Sequence, residues 1–437
     1  MTSDTRRVWL TTLGCAKNQV DSDKLSAVLQ DSGYTAASSI DEADVVMVNT
    51  CAFIEAAREE SVDTIIDLES AKSPDAKLVV LGCMAQRFGM QVAEAFPQAD
   101  AVLGLDRYGE LVGTLDRLTD WQPVRLKHSP MDILYTIRRP TLSTPYAYVK
   151  VAEGCDKPCT FCAIPLIRGR QRSRPPVNIR DEIVQLALAG AREVVLVAQD
   201  LAAYGRDIDA PGGIEDLLRF VSDVDGVEWI RLLYLYPREI RPALIAEIAA
   251  NPKLVPYFDL SLQHASGALL RAMKRPGDGE RHLDLIADIR AAAPEAATRS
   301  SFIVGFPGET SAHVEQLADF LQDARLDWAG FFPYSPEEGT PAAGLDGRID
   351  PDLVTERLRY LMAIQEEITA EANAATVGRT YRVLVDGLED GRPYGRSYRE
   401  APEIDGVIEM DAGKPGDFVN VEIDASYGSE LAGTVVD

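Results

Sequence analysis

The stretch EGCDKPCTFCAIP, residues 153–165, places Cys155, Cys159 and Cys162 within eight positions. It closes a predicted strand, YAYVKVAEG at 146–154, so the three thiols belong to one loop at a strand end. A structural zinc ion normally takes four protein ligands, and none of the chain's four histidines lies near this loop in sequence. A cubane iron–sulfur cluster has four irons, so three thiolates leave one iron open to a non-protein ligand. The spacing therefore favours a cluster, with a zinc site completed by a distant ligand as the alternative.

Apolar stretches continue beyond this loop as a regular alternation of strands and helices. Six strands are predicted between residues 146 and 336: YAYVKVAEG, EVVLVAQD, WIRLLYLYP, YFDLSLQH, RSSFIVGFP and WAGFFPYSP. Six strand–helix units fit a partial TIM-like (βα)6 barrel better than a closed eight-fold one. In either arrangement the chemistry gathers at the C-terminal ends of the strands.

The N-terminal part also alternates short apolar strands with helices. RVWLTTLG, ADVVMVNT and AKLVVLG are short β-branched runs typical of buried parallel strands, and DSDKLSAVLQDSG at 21–33 reads as a helix that ends at Gly33. The pattern predicts a doubly wound α/β domain. Its three cysteines, Cys15, Cys51 and Cys83, each stand at the end of one of these strands. The carboxyl edge of a parallel sheet would gather them into a second three-thiolate site. The alternative is three unrelated buried cysteines.

The C-terminal part consists of one long helix followed by short strands. The helix is predicted over 350–368, with Asp350 as its N-cap and Pro351 at its first position. The short runs TYRVLVDG, GVIEM and DFVNVEID, separated by glycine-rich turns, then predict three strands of a small all-β barrel. We therefore divide the chain into domains at residues 1–140, 141–375 and 378–437, with the first boundary in the RRPTLSTP segment at 138–145.

Composition limits the partners and the compartment. The 437 residues include 69 acidic and 44 basic side chains, a formal charge of −25. This excess argues against a general nucleic-acid coat and suits a basic macromolecular partner, although acidity can also serve solubility alone. No signal segment and no run of 18 apolar residues occurs, so we expect a cytoplasmic protein with reduced thiols and no membrane contact. Six cysteines in that setting are better read as ligands than as disulfides.

The loop motif, with Phe161 before its last cysteine, resembles the signature of the radical S-adenosylmethionine (SAM) superfamily. SSFIVGFPGET at 300–310 also resembles the adenine-side strand of that superfamily. The resemblance implies that the three cysteines hold a [4Fe-4S] cluster whose open iron is chelated by the amine and carboxylate of SAM. Reductive cleavage would then yield a 5′-deoxyadenosyl radical. The implied cofactor-binding residues are Phe161 over the adenine, and Ile303, Gly305 and Gly308 beside the nucleoside.

The three-plus-three division of the cysteines resembles the methylthiotransferases over essentially the whole chain. Members combine an N-terminal cluster domain, a radical SAM domain and a C-terminal TRAM barrel. The resemblance implies two [4Fe-4S] clusters, one that makes the radical and one, on Cys15, Cys51 and Cys83, that carries the sulfur to be methylated. It implies no catalytic side chain beyond the clusters, because the cofactors carry the hard step. It also implies a reductant such as flavodoxin or ferredoxin.

The family has two branches, and the local motifs are similar to one of them. One branch modifies an adenosine of transfer RNA, and the other an aspartate of the twelfth small-subunit ribosomal protein. Lys17, Asp156, Gln199 with Asp200, and His264 stand where the protein-modifying branch differs from the RNA-modifying one. These residues favour the ribosomal protein as substrate. A non-catalytic iron–sulfur or zinc protein that only binds a ribosomal partner is a further alternative.

The charge of the predicted barrel favours the same branch. Residues 378–437 contain 13 acidic and 6 basic side chains, a net charge of −7. A barrel that gripped transfer RNA should be basic, whereas this one suits a Lys- and Arg-rich ribosomal protein. The alternative is that the acidic barrel only packs on the rest of the chain. One departure from the branch is Ala16, where a proline is usual, and this would change loop stiffness rather than a ligand.

Three features have no assigned role at this stage. The RGRQRSRP run carries arginines at 168, 170, 172 and 174, which fit either a contact to SAM or substrate or a solvated basic loop. His264 lies at a strand end on the presumed active face, where a structural histidine is the commoner case. Glu309 is expected to cap the following helix.

Overall fold

The structure of the chain is a computed structural model, described for residues 6–118, 134, 137, 139, 142–208 and 212–437. The predicted division between residues 140 and 141 lies outside the described residues. No helix in the described ranges is long and apolar enough to cross a membrane.

The N-terminal part contains a parallel five-stranded sheet. Its strands are β1 (Arg7–Thr12), β2 (Thr35–Ala36), β3 (Val45–Thr50), β4 (Lys77–Gly82) and β5 (Ala101–Leu103), in the spatial order β2-β1-β3-β4-β5. Every residue of β3 is buried, as expected of a central strand covered on both faces. The strand order is that of a doubly wound fold whose crevice opens between β1 and β3. The two short edge strands, β2 and β5, were not predicted from the sequence.

Helices cover both faces of this sheet. They are α1 (Ala16–Asp31), α2 (Glu55–Ala71), α3 (Cys83–Ala95) and α4 (Leu111–Leu115). Helix α1 begins five residues earlier than predicted, because the extended backbone of Cys15 already serves as its N-cap position. Its polar residues Lys17, Asn18, Asp21 and Lys24 are buried. Helix α1 is therefore enclosed on its polar side as well as on its apolar side.

The middle of the chain forms the predicted partial barrel. Two parallel three-stranded sheets have the orders β10-β9-β6 and β11-β12-β13, and the isolated bridge Leu235↔Leu260 joins them. The strands, together with a two-stranded hairpin, are β6 (Tyr146–Lys150), β7 (Ala152–Glu153), β8 (Arg172–Ser173), β9 (Glu193–Val197), β10 (Trp229–Leu232), β11 (Tyr257–Gln263), β12 (Ala297–Val304) and β13 (Trp328–Pro333). All six predicted strands are present, which confirms the fold class.

Helices surround these strands, and most of them enclose the largest apolar core. Ile167 joins the N-terminal core instead, and Leu269 and Leu270 belong to a smaller cluster. They are α5 (Ile164–Ile167), α6 (Pro176–Leu188), α7 (Gly213–Ser222), α8 (Pro242–Ala250), α9 (Gly267–Ala272), α10 (Gly279–Ala292), α11 (Ser311–Ala324) and α12 (Pro351–Ala374). Asp350 caps α12 as predicted, since its carboxylate accepts a hydrogen bond from the Asp352 N–H at 2.9 Å.

The C-terminal part is a closed five-stranded barrel, in the order β14-β15-β16-β18-β17. Its strands are β14 (Thr380–Glu389), β15 (Arg392–Arg396), β16 (Ile408–Met410), β17 (Phe418–Tyr427) and β18 (Glu430–Val436). Three of these strands, β14, β16 and β17, were predicted from the sequence. The prediction missed β15 and β18, whose proline and glycine residues interrupt the apolar alternation.

Charged side chains lie beside an apolar cluster on the inner face of the partial barrel. Glu193 on β9 pairs with Arg231 on β10 at 2.7 Å and with Arg396 of the C-terminal barrel at 2.8 Å. Arg299 on β12 pairs with Asp405 of the same barrel at 3.3 Å. The C-terminal barrel therefore closes one end of the partial barrel through buried ion pairs, which leaves the C-terminal strand ends for chemistry.

Candidate active site where two cysteine loops meet

The first three cysteines lie at one edge of the N-terminal sheet. Cys15 follows β1, Cys51 follows β3 and Cys83 follows β4, and these three strands are neighbours. The loops approach closely: a Cβ added at Gly14, whose φ is +89°, would lie 2.8 Å from Cys51 Sγ. Only glycine adopts this positive φ readily and leaves enough room for the neighbouring loop. The edge thus brings the three predicted thiols together.

The Asn18 side chain ties the three loops to one another. Its Nδ2 donates to the carbonyl of Leu13 at 2.9 Å and to that of Thr50 at 3.1 Å, one on either side of the crevice. Its Oδ1 lies 3.6 Å from Cys83 Sγ. Asn18 is fully buried, so this side chain fixes the relative positions of the loops that carry the cysteines.

Nearby cations distinguish the three thiols. Burial acts to raise the pKa of the Cys15 thiol, but the charges of Lys17 and Arg168 outweigh it and leave that pKa below its ordinary value. Burial raises the pKa of Cys83, and Arg168 opposes the rise. Burial and the neighbouring Cys83 raise the pKa of Cys51 to about 12. The site therefore makes ionisation easier at Cys15 and harder at Cys51 and Cys83, and a further positive charge, such as iron, would favour the thiolate form of all three.

The second set of cysteines lies on a loop between β7 and β8, which pair as an antiparallel hairpin. The Cys155 N–H donates to the Gly169 carbonyl at 3.1 Å, so the loop returns to its starting point. The Lys157 N–H points to Cys155 Sγ at 3.4 Å, and Arg275 Nη1 lies 3.7 Å from Cys159 Sγ. These N–H donors match the hydrogen bonds to sulfur that tune iron–sulfur clusters.

Burial favours the neutral thiol at two of the three loop cysteines. Burial raises the pKa of Cys155 to about 11 and that of Cys162 to about 12. Within the described ranges, no three His, Cys, Asp or Glu side chains stand close enough to bind a single metal ion. The donor set, three thiols at the edge of the N-terminal sheet and three on the loop between β7 and β8, with N–H groups directed at sulfur, fits an iron–sulfur cluster, in which each thiolate binds a different iron.

Phe161 and Ile303, both predicted to bind the nucleoside, lie in one apolar cluster. They pack against a buried group of side chains that includes Met273 and Phe306. Gly308 has φ +83° and open space where a Cβ would stand, whereas a Cβ on Gly305 would lie 2.5 Å from Val354 Cγ2 on α12. The close packing of α12 thus explains why residue 305 is a glycine. Of the two glycines, only Gly308 has open space beside its backbone.

The two cysteine loops meet through Arg168, which follows α5. Its Nη2 lies 3.4 Å from Cys83 Sγ, and its Nη1 is 2.7 Å from a carboxylate oxygen of Glu153, just before Cys155. A second connection between the N-terminal part and the partial barrel runs through the loop after β13. Glu337 pairs there with Arg58 on α2 and Arg87 on α3, and Arg87 also donates to the Ala52 carbonyl at 3.1 Å.

The arginine run divides into two kinds of residue. Arg168 and Arg174 are buried, and Arg174 Nη2 pairs with Glu182 at 2.6 Å. Arg170 is exposed and pairs with Asp156 at 3.1 Å. The sequence suggested either a contact to SAM or substrate, or a solvated loop. Neither interpretation predicted that Arg168 would contact both Glu153 and Cys83. Arg275 and Glu337 were also missed, because nothing in their local sequence marks them.

Two other sequence expectations have clear outcomes. His264 is buried, and its Nδ1 accepts the N–H groups of Ala265 and Ser266, both at 2.9 Å, at the start of α9. This is the structural role that was the commoner expectation. Glu309 does not cap α11, where Thr310 is the N-cap. Its carboxylate instead accepts the Gly305 N–H at 3.0 Å and pairs with Arg357 at 2.8 Å.

Comparison with known proteins places this geometry in a family. Three family models match successive parts of the chain: Uncharacterized protein family UPF0004 over residues 7–104, the Radical SAM superfamily over residues 149–321 and the TRAM domain over residues 377–436. A protein of Moorella thermoacetica named ribosomal protein uS12 methylthiotransferase RimO is 44% identical, over 96% of this chain and 97% of its own. The protein of that name in Saccharopolyspora erythraea is 42% identical, over 98% and 94%. The chain belongs to the RimO methylthiotransferase family.

Membership of the RimO family makes the chain a radical SAM methylthiotransferase that works with an iron–sulfur cluster and SAM. This confirms the predicted enzyme class and excludes the non-catalytic alternative. Among solved structures, the radical SAM methyltransferase TsrM from Kitasatospora setae has a TM-score of 0.55 at 16% identity, over 77% of this chain and 74% of its own. At that identity the similarity extends to the fold.

Proposed function

We propose that the chain attaches a methylthio group to the β-carbon of one aspartate of ribosomal protein uS12, with two [4Fe-4S] clusters. The observation that supports it most directly is the position of Arg168, which lies 3.4 Å from Cys83 Sγ and 2.7 Å from Glu153, two residues before Cys155. These contacts support a short distance between the two sets of thiols. A transfer between two centres requires such proximity.

The six cysteines are the proposed ligands of the two clusters. Cys155, Cys159 and Cys162 hold the cluster that binds SAM, and Cys15, Cys51 and Cys83 hold the one that carries sulfur. When bound, these groups supply radical formation and the methylthio group. Phe161, Ile303, Gly305 and Gly308 are the proposed SAM contacts, with Phe161 and Ile303 providing an apolar wall for the adenine.

The protein substrate is supported by the names of the relatives and by surface charge. The relatives are named for ribosomal protein uS12. On residues 378–437, ten acidic side chains are exposed against four basic ones. Complementary charge would draw a basic ribosomal protein and repel the phosphates of transfer RNA. We further propose that the reaction takes place in the cytoplasm with flavodoxin or ferredoxin as reductant.

Not every acidic residue of the barrel contributes to that surface. Glu400 is buried and accepts hydrogen bonds from Ser397 at 2.6 and 2.9 Å. The Asp405 carboxylate accepts the Tyr257 hydroxyl at 2.5 Å and pairs with Arg299. Glu403 also accepts the hydroxyls of Tyr146 and Tyr148, although its side chain remains exposed. Some acidic side chains of the barrel are therefore engaged in packing, which was one of the alternatives considered from the sequence. The other acidic side chains are free to face a partner.

The proposal is tested by incubating the reconstituted enzyme with purified uS12, SAM and a reductant without oxygen. We expect one aspartate of uS12 to gain about 46 Da, the mass of a methylthio group that replaces hydrogen. Mass spectrometry of the digested protein locates the residue, and bulk transfer RNA in a parallel reaction is the control substrate. Modification of a transfer-RNA adenosine with uS12 unchanged would reject the substrate assignment.

A further inference from the structure

Arg168 belongs to one cysteine loop and reaches the other. It follows α5, six residues after Cys162, and is 3% exposed. Its guanidinium carries five N–H donors in a rigid plane and has no acceptor. All of the side-chain acceptors it contacts are buried, so the orientation of the guanidinium is determined by the protein rather than by solvent.

The contacts of Arg168 divide between sulfur and carboxylate. Nη2 donates to Asn18 Oδ1 at 2.6 Å and lies 3.4 Å from Cys83 Sγ. Nη1 pairs with Glu153 at 2.7 Å and with Asp21 at 3.4 Å. The face directed at the sulfur is therefore N–H, and the carboxylates lie on the other nitrogen.

Lys150 limits how far these carboxylates cancel the charge of Arg168. Its ammonium lies 2.5 Å from both Asp21 and Glu153, so it shares the two anions with the guanidinium. The four charged groups sum to zero, with a cation as the member nearest to Cys83. Reduction of a cluster adds one negative charge, and a buried cation within hydrogen-bond distance of a ligand sulfur stabilises the reduced form.

We propose that Arg168 is a positioning residue that orients Cys83 and raises the reduction potential of a cluster held by Cys15, Cys51 and Cys83. The inference rests on the two-cluster function proposed above. Because Arg168 also pairs with Glu153, the radical SAM loop contributes in this way to the properties of the centre across the interface.

The test uses the full chain with Cys155, Cys159 and Cys162 all replaced by alanine, so that only the N-terminal cluster remains after reconstitution with iron and sulfide. The cluster is titrated with reductant and followed by electron paramagnetic resonance. In the background of that parent, Arg168→Gln should lower the ratio of reduced to oxidised cluster about tenfold at the parent's midpoint, a shift of about 59 mV for one electron. Arg168→Lys keeps the charge and should restore most of the ratio.

Asp21→Asn removes an anion from the opposite side of the guanidinium and should shift the potential upward. Arg170→Gln is the matched control, since Arg170 is exposed and pairs with Asp156, and it should titrate like the parent. Mere loosening of the site would move both charge variants in one direction. Equal midpoints for the parent and Arg168→Gln, or shifts of the same sign in Arg168→Gln and Asp21→Asn, overturn the proposal. If Arg168→Gln holds no cluster, the direction of the Asp21→Asn shift decides: upward supports the proposal, and no shift or a downward one rejects it.

Failure of the proposed function has a different signature. The triple-alanine parent itself should bind about four irons with sulfide. A parent that binds none has no second cluster, and the two-cluster assignment then fails before any Arg168 variant is measured.

Discussion

The Lys150 ammonium lies 2.5 Å from Oδ1 of Asp21, and both side chains are almost fully buried. The pair joins β6 of the partial barrel to α1 of the N-terminal part. Lys24 of the same helix pairs with Glu182 at 3.0 Å, also in the interior. The interface between α1 and the partial barrel therefore contains buried ion pairs.

Replacing one member of this interface should destabilise the protein strongly. Lys150→Met leaves Asp21 and Glu153 with Arg168 as their shared cation, and breaking a buried pair typically costs about 3–5 kcal/mol. We expect a lower thermal midpoint in calorimetry, with partial recovery in the double variant Asp21→Leu/Lys150→Met. Arg170→Gln, at an exposed pair, should leave the midpoint unchanged. Equal midpoints for Lys150→Met and the wild type would contradict the importance of the pair.

Alanine in place of Cys155, Cys159 or Cys162 should abolish cleavage of SAM. Each change removes one of three thiolates from a cluster with none in reserve. The measurement is 5′-deoxyadenosine released after anaerobic reconstitution. Release at the wild-type level from any of the three variants would show that the replaced cysteine is not a ligand.

Alanine at Cys15, Cys51 or Cys83 should have the opposite pattern. The radical-forming loop is intact in these variants, so 5′-deoxyadenosine should still form while methylthio transfer to uS12 stops. The two sets of variants are matched controls for each other. Normal transfer in all three would remove the need for a second cluster.

The exposed acids of the C-terminal barrel should govern capture of the protein substrate. Lysine at Glu409, Glu422, Asp424 and Glu430, all exposed, should weaken uS12 binding at low salt through like-charge repulsion. Wild-type binding should also weaken between about 0.05 and 0.5 M salt, as the Debye length falls from roughly 14 to 4 Å. The measurement is the uS12 dissociation constant.

The matched control for the barrel variant reverses four exposed acids on the helices of the partial barrel, Asp319, Glu356, Glu366 and Glu367. Its net charge equals that of the barrel variant. If both variants lose affinity equally, overall charge rather than the barrel surface attracts the substrate.

His282 should make stability depend on pH. Burial and the nearby Arg275 charge lower the pKa of His282 from 6.5 to about 4. Between these values the unfolded state binds more protons, so stability falls as pH drops. From pH 7 to pH 5 the loss is about 2 kcal/mol, which His282→Gln should not show. Burial raises the pKa of Asp405 to about 6 and acts oppositely, but equally in both proteins. Parallel stability curves for the wild type and His282→Gln would refute this assignment.

Local pattern was sufficient for much of the fold and for the positions of Cys15, Cys51 and Cys83 at strand ends. The six strands of the partial barrel and the three cysteine-bearing strands of the N-terminal sheet are apolar runs whose ends can be read directly. Because parallel strands share one carboxyl edge, the positions of Cys15, Cys51 and Cys83 predicted their proximity before any coordinates. The short strands β2 and β5, and the glycine-containing β15 and β18, lacked that pattern and were missed.

The acidic barrel shows where composition stops being informative. A net charge of −7 was correct as a count, but the count cannot tell Glu409, which is exposed, from Glu400, which is buried. The difference depends on whether a carboxylate finds partners in another part of the chain. Such partners are chosen by packing, and composition carries no record of them.

The sequence by itself determined that two sets of three cysteines stand at strand ends in an acidic protein built from three kinds of domain. Only the tertiary structure decided that Arg168 contacts Cys83, 85 residues away, and that the polar side of α1 is buried against β6. The physical reason is the separation in sequence over which each kind of interaction acts. Strands, helices and caps follow from hydrogen bonding and side-chain periodicity between near neighbours, whereas a buried ion must find its counter-ion wherever the packed fold brings one within reach.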